Sequence, residues 1–359
     1  MNYDILYFTY SRIPSRLASS NATVYQCEAL AQKASLLLIA FAGSEELEGV
    51  SLGEFYGVKP FPIRTLSIGL LKDGHEREYA STVLEIVREC EPHLIYSRDI
   101  FVNMVLTRSG IPSIYEIHQL VHENKTYTSD FVDMLRTILK YPSLCGFVYI
   151  SQALKKQCVS RGYVCDRMIV LRSGVRATLR QRDNSWGRQG RGIVYCGSLQ
   201  RGKGIDVFLS AAKLLPEEIF AIVGGDADAF TGYLPFNVSH IPWVYPINIA
   251  KAISGYDIAI APYVMQSYVF YSPLKIVEYM ALGKAVIASS TPGIGEIIED
   301  GVTGLLVNPG DIKMLVSAIR SLRATSGLLN SIACHAYAAT ASMTWDVRAQ
   351  RILDFSSSF

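Results

Sequence analysis

The 359-residue sequence has no surplus of either charge, no closely spaced cysteine pair and no long apolar run, and each absence removes a class of function. With 34 Lys and Arg against 32 Asp and Glu the net charge is only +2. No long-range field draws in a polyanion, and no basic run with interleaved aromatics exists, so nucleic-acid binding is not expected. Seven cysteines (Cys27, Cys90, Cys145, Cys158, Cys165, Cys196 and Cys334) are odd in number and never at zinc-site spacing; they read as buried thiols in a reducing compartment. No stretch approaches the roughly 18 apolar residues that span a bilayer. The opening MNYDILYFTYS alternates like a strand and lacks the basic leader of a signal peptide. A cytoplasmic protein is expected, with any membrane contact peripheral and at the inner face.

Half of the residues are hydrophobic, enough to bury two cores rather than one. Short apolar runs alternate with amphipathic ones: Ile5 to Thr9, a helix from Thr23 to Gln32, Leu36 to Ala42, a helix from Ala80 to Glu89, Leu94 to Tyr96, Ser113 to Ile117 and Gly146 to Ile150. That is the βαβ rhythm of a parallel sheet. Ser151 suits the N-cap of a helix over Gln152 to Ser160. Six arginines (Arg172, Arg176, Arg180, Arg182, Arg188 and Arg191) and the glycines at 174, 187 and 190 then break the pattern, which marks a linker. A second series follows: Gly192 to Cys196, a helix from Ile205, Phe220 to Val223, a helix around Ile249, Ile258 to Ala261, a helix from Pro273 to Leu282, Ala285 to Ala288 and Leu305 to Val307. The reading is α/β, with two Rossmann-like parallel-sheet domains and an interdomain cleft: 1–172, a linker at 173–191, 192–342, and a closing helix in 343–359 that returns to the first domain. Ligands of open sheets lie outside the carboxyl ends of the strands, so the cleft is the expected site.

Ser272-Pro273-Leu274-Lys275 opens the run IVEYMAL with a capping serine and a proline at the first helical position. The amides of Leu274 and Lys275 are then unpaired at a positive helix end and form a seat for phosphate, with the Lys275 charge nearby. Glu278, one turn in, could accept from a ribose diol. The same residues also fit a plain helix start with a surface Lys275–Glu278 pair. The setting favours the first reading, because the strand of YDIAIAPY (256–263) ends just before this loop and GKAVIA (283–288) starts the next strand directly after the helix.

The stretch FYSPLKIVEYMALGKAVIASSTPGIGEIIEDGVTGLLVNPGD (270–311) resembles the donor-site signature of the family 4 retaining glycosyltransferases of the GT-B fold. IVYCGSLQRGKGIDVFLSAAKLL (193–215), AIVGGD (221–226), GFVYISQAL (146–154), IVLRSGV (169–175) and SIYEIH (113–118) extend the likeness over most of the chain. The resemblance implies that Lys203 is the diphosphate lysine, Glu278 the ribose-binding glutamate, and the amides near Leu274 and Lys275 the β-phosphate cradle. It places Ser198, Gly224, Val244 and Ser272 around the donor, and His118 by the donor sugar or acceptor; a lone histidine is otherwise as readily structural. His118, Lys203 and Lys275 are the expected catalytic groups. Two positions depart from the family pattern. Phe270 stands where a glutamate eight residues before Glu278 is usual, and Ser198 stands where an arginine is common.

The resemblance further implies transfer of a hexose from a nucleotide diphosphate sugar, UDP-glucose or another UDP-sugar ahead of GDP-mannose, to a hydroxyl on a carbohydrate, lipid-linked or small-molecule acceptor, as in polysaccharide or glycoconjugate synthesis. Retention is expected, with same-face attack and proton transfer to the diphosphate; Phe270 argues against a covalent carboxylate intermediate. Fixed donors rather than a metal are expected to stabilise the leaving group. Asp226-Ala227-Asp228 reads as a polar loop after a strand, so neither metal nor other cofactor is predicted. Arg12 and Arg16, in the loop expected over 11–23, either hold an acceptor or are simply solvated. Trp345 is expected to pack, not to bind sugar. The rival readings are a GT-B epimerase and a non-catalytic nucleotide-sugar binder; a Rossmann dehydrogenase is disfavoured because no GxGxxG follows the first strand.

Overall fold

The computed structural model describes residues 2–119, 129–180, 191–230, 234–264, 273–325 and 327–357. The chain divides into two compact units, Met1–Arg172 with Trp345–Phe359, and Ser173–Thr344. In chain order the first contains β1 (Ile5–Ile13), α1 (Ala18–Ala31), β2 (Leu36–Ala42), α2 (Leu52–Tyr56), β3 (Ile63–Leu66), α3 (Glu76–Cys90), β4 (Leu94–Ser97), α4 (Ile100–Arg108), β5 (Ser113–Ile117), α5 (Ser129–Ile138), β6 (Leu144–Tyr149), α6 (Gln152–Ser160) and β7 (Met168–Val170). Its sheet runs β3-β2-β1-β4-β5-β6-β7, parallel throughout. Strands such as LLLIAF in β2 are buried on both faces, as a parallel sheet sandwiched by helices requires. The strand order reverses between β1 and β4, which opens a crevice at their carboxyl ends.

Two expectations here need correction. β1 does not stop at Thr9. After a register shift between Phe8 and Arg12 it pairs again through Arg12–Phe41 and Ile13–Ala42, and α1 begins at Ala18, so the loop expected over 11–23 shrinks to a few residues. The short edge strands β3 and β7 were not anticipated from their weak patterns. The C-terminal helix Trp345–Ser356 belongs to this unit. Trp345 is buried with its ring 6.4 Å from that of Tyr25.

The second unit contains β8 (Ile193–Cys196), α7 (Ile205–Leu214), β9 (Phe220–Val223), β10 (Val238–Ile241), α8 (Ile249–Ala252), β11 (Ile258–Ala261), α9 (Leu274–Ala281), β12 (Ala285–Ser289), β13 (Leu305–Val307), α10 (Ile312–Ala324) and α11 (Leu328–Ala339). The sheet runs β10-β9-β8-β11-β12-β13, again parallel. Alternate residues feed two cores: Val194, Ala259 and Val286 with α9 on one face, and Ile193, Ile258 and Ile287 with α7 and α10 on the other. Here the order reverses between β8 and β11. Ser173–Arg180 belong to this unit rather than to a free linker. Val175 is buried and donates its amide to Met343 O (2.8 Å), and Arg180 donates to Thr340 Oγ1 (2.9 Å). One apolar residue among the arginines is enough to dock the segment; residues 181–190 lie outside the described residues. Among the described residues no helix is long and apolar enough to cross a membrane.

Candidate functional site

In the second unit the carboxyl ends of β8 and β11 meet the start of α9. Tyr279, on the buried face of α9, ties them together: Cys196 N donates to its hydroxyl (2.7 Å), which donates back to Cys196 O (3.0 Å). Two side-chain hydrogen bonds to a strand end therefore fix where α9 starts. Pro273 is the N-cap, in extended conformation, and the helix proper begins at Leu274. The expected start is thus displaced by one residue: proline fits just outside the helix as well as at its first position, since its fixed φ suits both. Ser272 and Phe270 fall outside the described residues. The amides of Leu274 and Lys275 belong to the first turn and have no acceptor within the helix.

Lys275 reaches back under the loop that follows β8. Its Nζ lies 4.2 Å from the centre of the Tyr195 ring and 5.5 Å from that of Tyr263, and the ammonium is buried without a hydrogen-bond partner among the described residues. Lys203 Nζ lies 5.3 Å from the same Tyr263 ring. Two ammonium groups therefore share one aromatic wall, which meets their charge only partly. Burial lowers Lys203 to about 8; burial and then the like charge of Lys203 lower Lys275 to about 7. Burial raises Glu278 to about 7 against the pull of Lys275 and Arg176. Carboxyl and ammonium groups brought this far from their ordinary range are characteristic of functional sites.

The loop from Gly197 to Gly204 depends on glycine at both ends. A Cβ on Gly197, at φ 148°, would fall 2.5 Å from Lys275 Nζ, and one on Gly204, at φ 78°, only 1.6 Å from the Pro262 carbonyl oxygen. Ser198 is exposed, and its carbonyl accepts from Tyr195 at 2.5 Å. Gly224 is buried at the end of β9, with its carbonyl 2.8 Å from His240 Nε2. The Val244 side chain packs against the core, so only its backbone remains for a ligand. Asp226 and Asp228 are exposed, and among the described residues no cluster of potential ligands for a metal ion occurs.

His118 lies in the first unit, just past β5. Its Nε2 is 2.7 Å from the Tyr10 hydroxyl and the rings stack at 5.7 Å, while Nδ1 is 3.4 Å from Glu116 O. Burial and the Arg98 charge hold the imidazole down to about 3, so it is neutral and accepts from Tyr10 through Nε2. It lines a cavity of about 260 Å³ at the β1–β4 reversal, with Tyr10, Arg98, Asp99 and Tyr115. Beneath lies a charge cluster that sequence reasoning missed. Glu116 is buried between Arg98 (3.2 Å) and Arg348 (2.8 Å) and accepts from Tyr96; the two arginines lower its carboxyl to about 2 despite burial. The acceptor arginines do not join this cavity. Arg12 is exposed on β1, and Arg16 pairs with Glu46 at 3.2 Å on the surface, an ion pair of the kind that contributes little.

Residues 190–325 match the family model described as Glycosyl transferases group 1. The chain is 29% identical over 132 residues to an uncharacterised 41.2 kDa protein in the cps region of Klebsiella pneumoniae, covering 36% of each. It is 28% identical over 174 residues to a D-inositol 3-phosphate glycosyltransferase of Xylanimonas cellulosilytica, covering 45% of this chain and 41% of that one. The chain thus spans about two fifths of the curated relatives it matches. Across 100% of both chains it superposes on Anabaena HepE, solved with UDP (TM-score 0.79, 18% identity) and with UDP-glucose (TM-score 0.77). The fold is that of the GT-B glycosyltransferases.

Proposed function

We propose that this GT-B chain, whose residues 190–325 form a group 1 glycosyltransferase domain, transfers a hexose from a nucleotide diphosphate sugar to a hydroxyl acceptor. The observation that carries the reading is the buried, unpartnered Lys275 ammonium beside Lys203 at the start of α9, on the strand reversal where open sheets bind ligands. A diphosphate supplies the charge this place lacks. Its oxygens take the Leu274 and Lys275 amides and both ammonium groups, and Glu278 accepts from the ribose diol. UDP is favoured over GDP because HepE binds UDP and UDP-glucose.

In the reaction the acceptor oxygen bonds to the anomeric carbon while the sugar–phosphate C–O bond breaks. The electron pair leaves with the diphosphate, which also receives the acceptor proton. Lys203 and Lys275 stabilise that growing charge with groups already in place, so no metal is required; attack on the same face as the departing diphosphate retains the anomeric configuration. Neutral His118 supplies a hydrogen-bonding group to the donor sugar or acceptor. Seven free thiols fit a cytoplasmic setting. Incubation with labelled UDP-glucose and GDP-mannose, a panel of hydroxyl acceptors and excess chelator tests the reading. Chelator-resistant transfer with retained configuration, preferring UDP-glucose, is expected. Absence of transfer from either donor to any acceptor would contradict it.

A further inference from the structure

We propose that the cavity of the first unit holds an uncharged hydroxyl acceptor carrying an aromatic-sized apolar group, and that it rejects a phosphorylated one. The proposal names the acceptor class for the transfer reading above and rests on that reading. One wall of the 260 Å³ cavity is formed by Tyr79, Phe101, Phe131 and Met134. Tyr79 and Phe101 stack with ring centres 5.2 Å apart and planes within 9°, and Phe131 is buried. Such a wall gains by covering a flat apolar group.

Most charged groups at the cavity are committed or of the wrong sign for phosphate. Arg98 faces Glu116 at 3.2 Å and donates to Thr23 Oγ1 (2.8 Å) and Ser19 O (3.3 Å). Asp99 caps α4 through Phe101 N and Val102 N and accepts from Tyr79 (2.8 Å). At the rim Lys72 stands with Asp73 and Glu76. A phosphate here would face three carboxylates, Asp73, Glu76 and Asp99, against Lys72 and an Arg98 that shares the Glu116 carboxylate with Arg348, and would give up hydration to enter beside them. His118 is neutral and adds no charge. A hydroxyl, in contrast, finds the Tyr10–His118 pair, which also lines the cavity.

The test is calorimetric binding of phenyl β-glucoside, glucose and glucose 6-phosphate to the full chain saturated with UDP, repeated with Met134→Gln. Phenyl β-glucoside is expected to bind about tenfold more tightly than glucose. Glucose 6-phosphate should bind no better than glucose, and Met134→Gln should shrink the phenyl preference with UDP affinity unchanged. Met134 is only partly buried, and a melting curve confirms that the variant folds. Tighter binding of glucose 6-phosphate than of the phenyl glucoside, or equal binding of glucoside and glucose, would overturn the proposal. Phenyl-glucoside preference without turnover of any nucleotide sugar would uphold the cavity assignment and fail the transfer reading.

Discussion

Lys275 sits where Tyr195 of β8 and the loop residues Lys203 and Tyr263 meet, and its charge is the quantity the site turns on. At about 7 for Lys275 and about 8 for Lys203, both ammonium groups lose protons as pH rises from 7 to 9, and Glu278 ionises over the lower half of that window. Each change removes positive charge from the seat. UDP affinity is therefore expected to fall steadily over this range, with proton uptake on binding, which calorimetry in buffers of different ionisation enthalpy reads directly. A flat profile would mean the lysines are not the diphosphate's partners. The helix start was legible from SPLKIVEYM to within one residue, because capping chemistry is local. The tyrosine wall was not: Tyr195 lies on β8 and Tyr263 in the loop after β11, and nothing in their spacing brings them to one lysine. The same holds for Tyr10 and His118, which are 108 residues apart.

At the scale of elements, the loop between β8 and α7 carries two glycines whose substitution should fail in different ways. At Gly197, where the positive φ strains any side chain, an added methyl also meets the tip of Lys275, which can swing aside; at Gly204, likewise at positive φ, it meets the Pro262 backbone, which cannot. Gly197→Ala should weaken UDP binding by about tenfold or more while lowering stability modestly. Gly204→Ala should destabilise by about 2 kcal/mol or more, seen as a clear drop in melting temperature. The strong alternation of apolar runs made most strands and their parallel order legible. The exceptions are β3, β7 and β10, edge strands of three or four residues. An edge strand pairs on one side only, so little in its sequence is constrained. The end of β1 was missed for a different reason: its pairing resumes after an irregularity that interrupts the alternation at Ser11 and Arg12.

At the scale of the molecule, each unit has its own core, and the last helix of the chain completes the first. Arg348 on that helix holds Glu116 and donates to Gln26 and Leu171 O. Glu116→Gln leaves two buried arginines without their counter-charge and should cost about 3–5 kcal/mol. Because the folded carboxyl is depressed to about 2, its contribution is full above the ordinary carboxylate range, near pH 4.5, and is lost as pH falls toward 2. Calorimetric melts should accordingly show the transition of the first unit dropping with acid, and Glu116→Gln should lower that transition without touching UDP binding. The two-unit plan was readable from the arginine-rich break after Leu171, but the Arg98–Glu116–Arg348 cluster was not, since its members are up to 250 residues apart in sequence.

The most direct test of the donor site is calorimetric titration of UDP and UMP into the wild-type chain, Lys203→Ala and Lys275→Ala at pH 7. UDP should bind more tightly than UMP to the wild type, and each substitution should weaken UDP by about ten- to a hundredfold while narrowing its advantage over UMP. Unchanged UDP affinity in both variants would contradict the account.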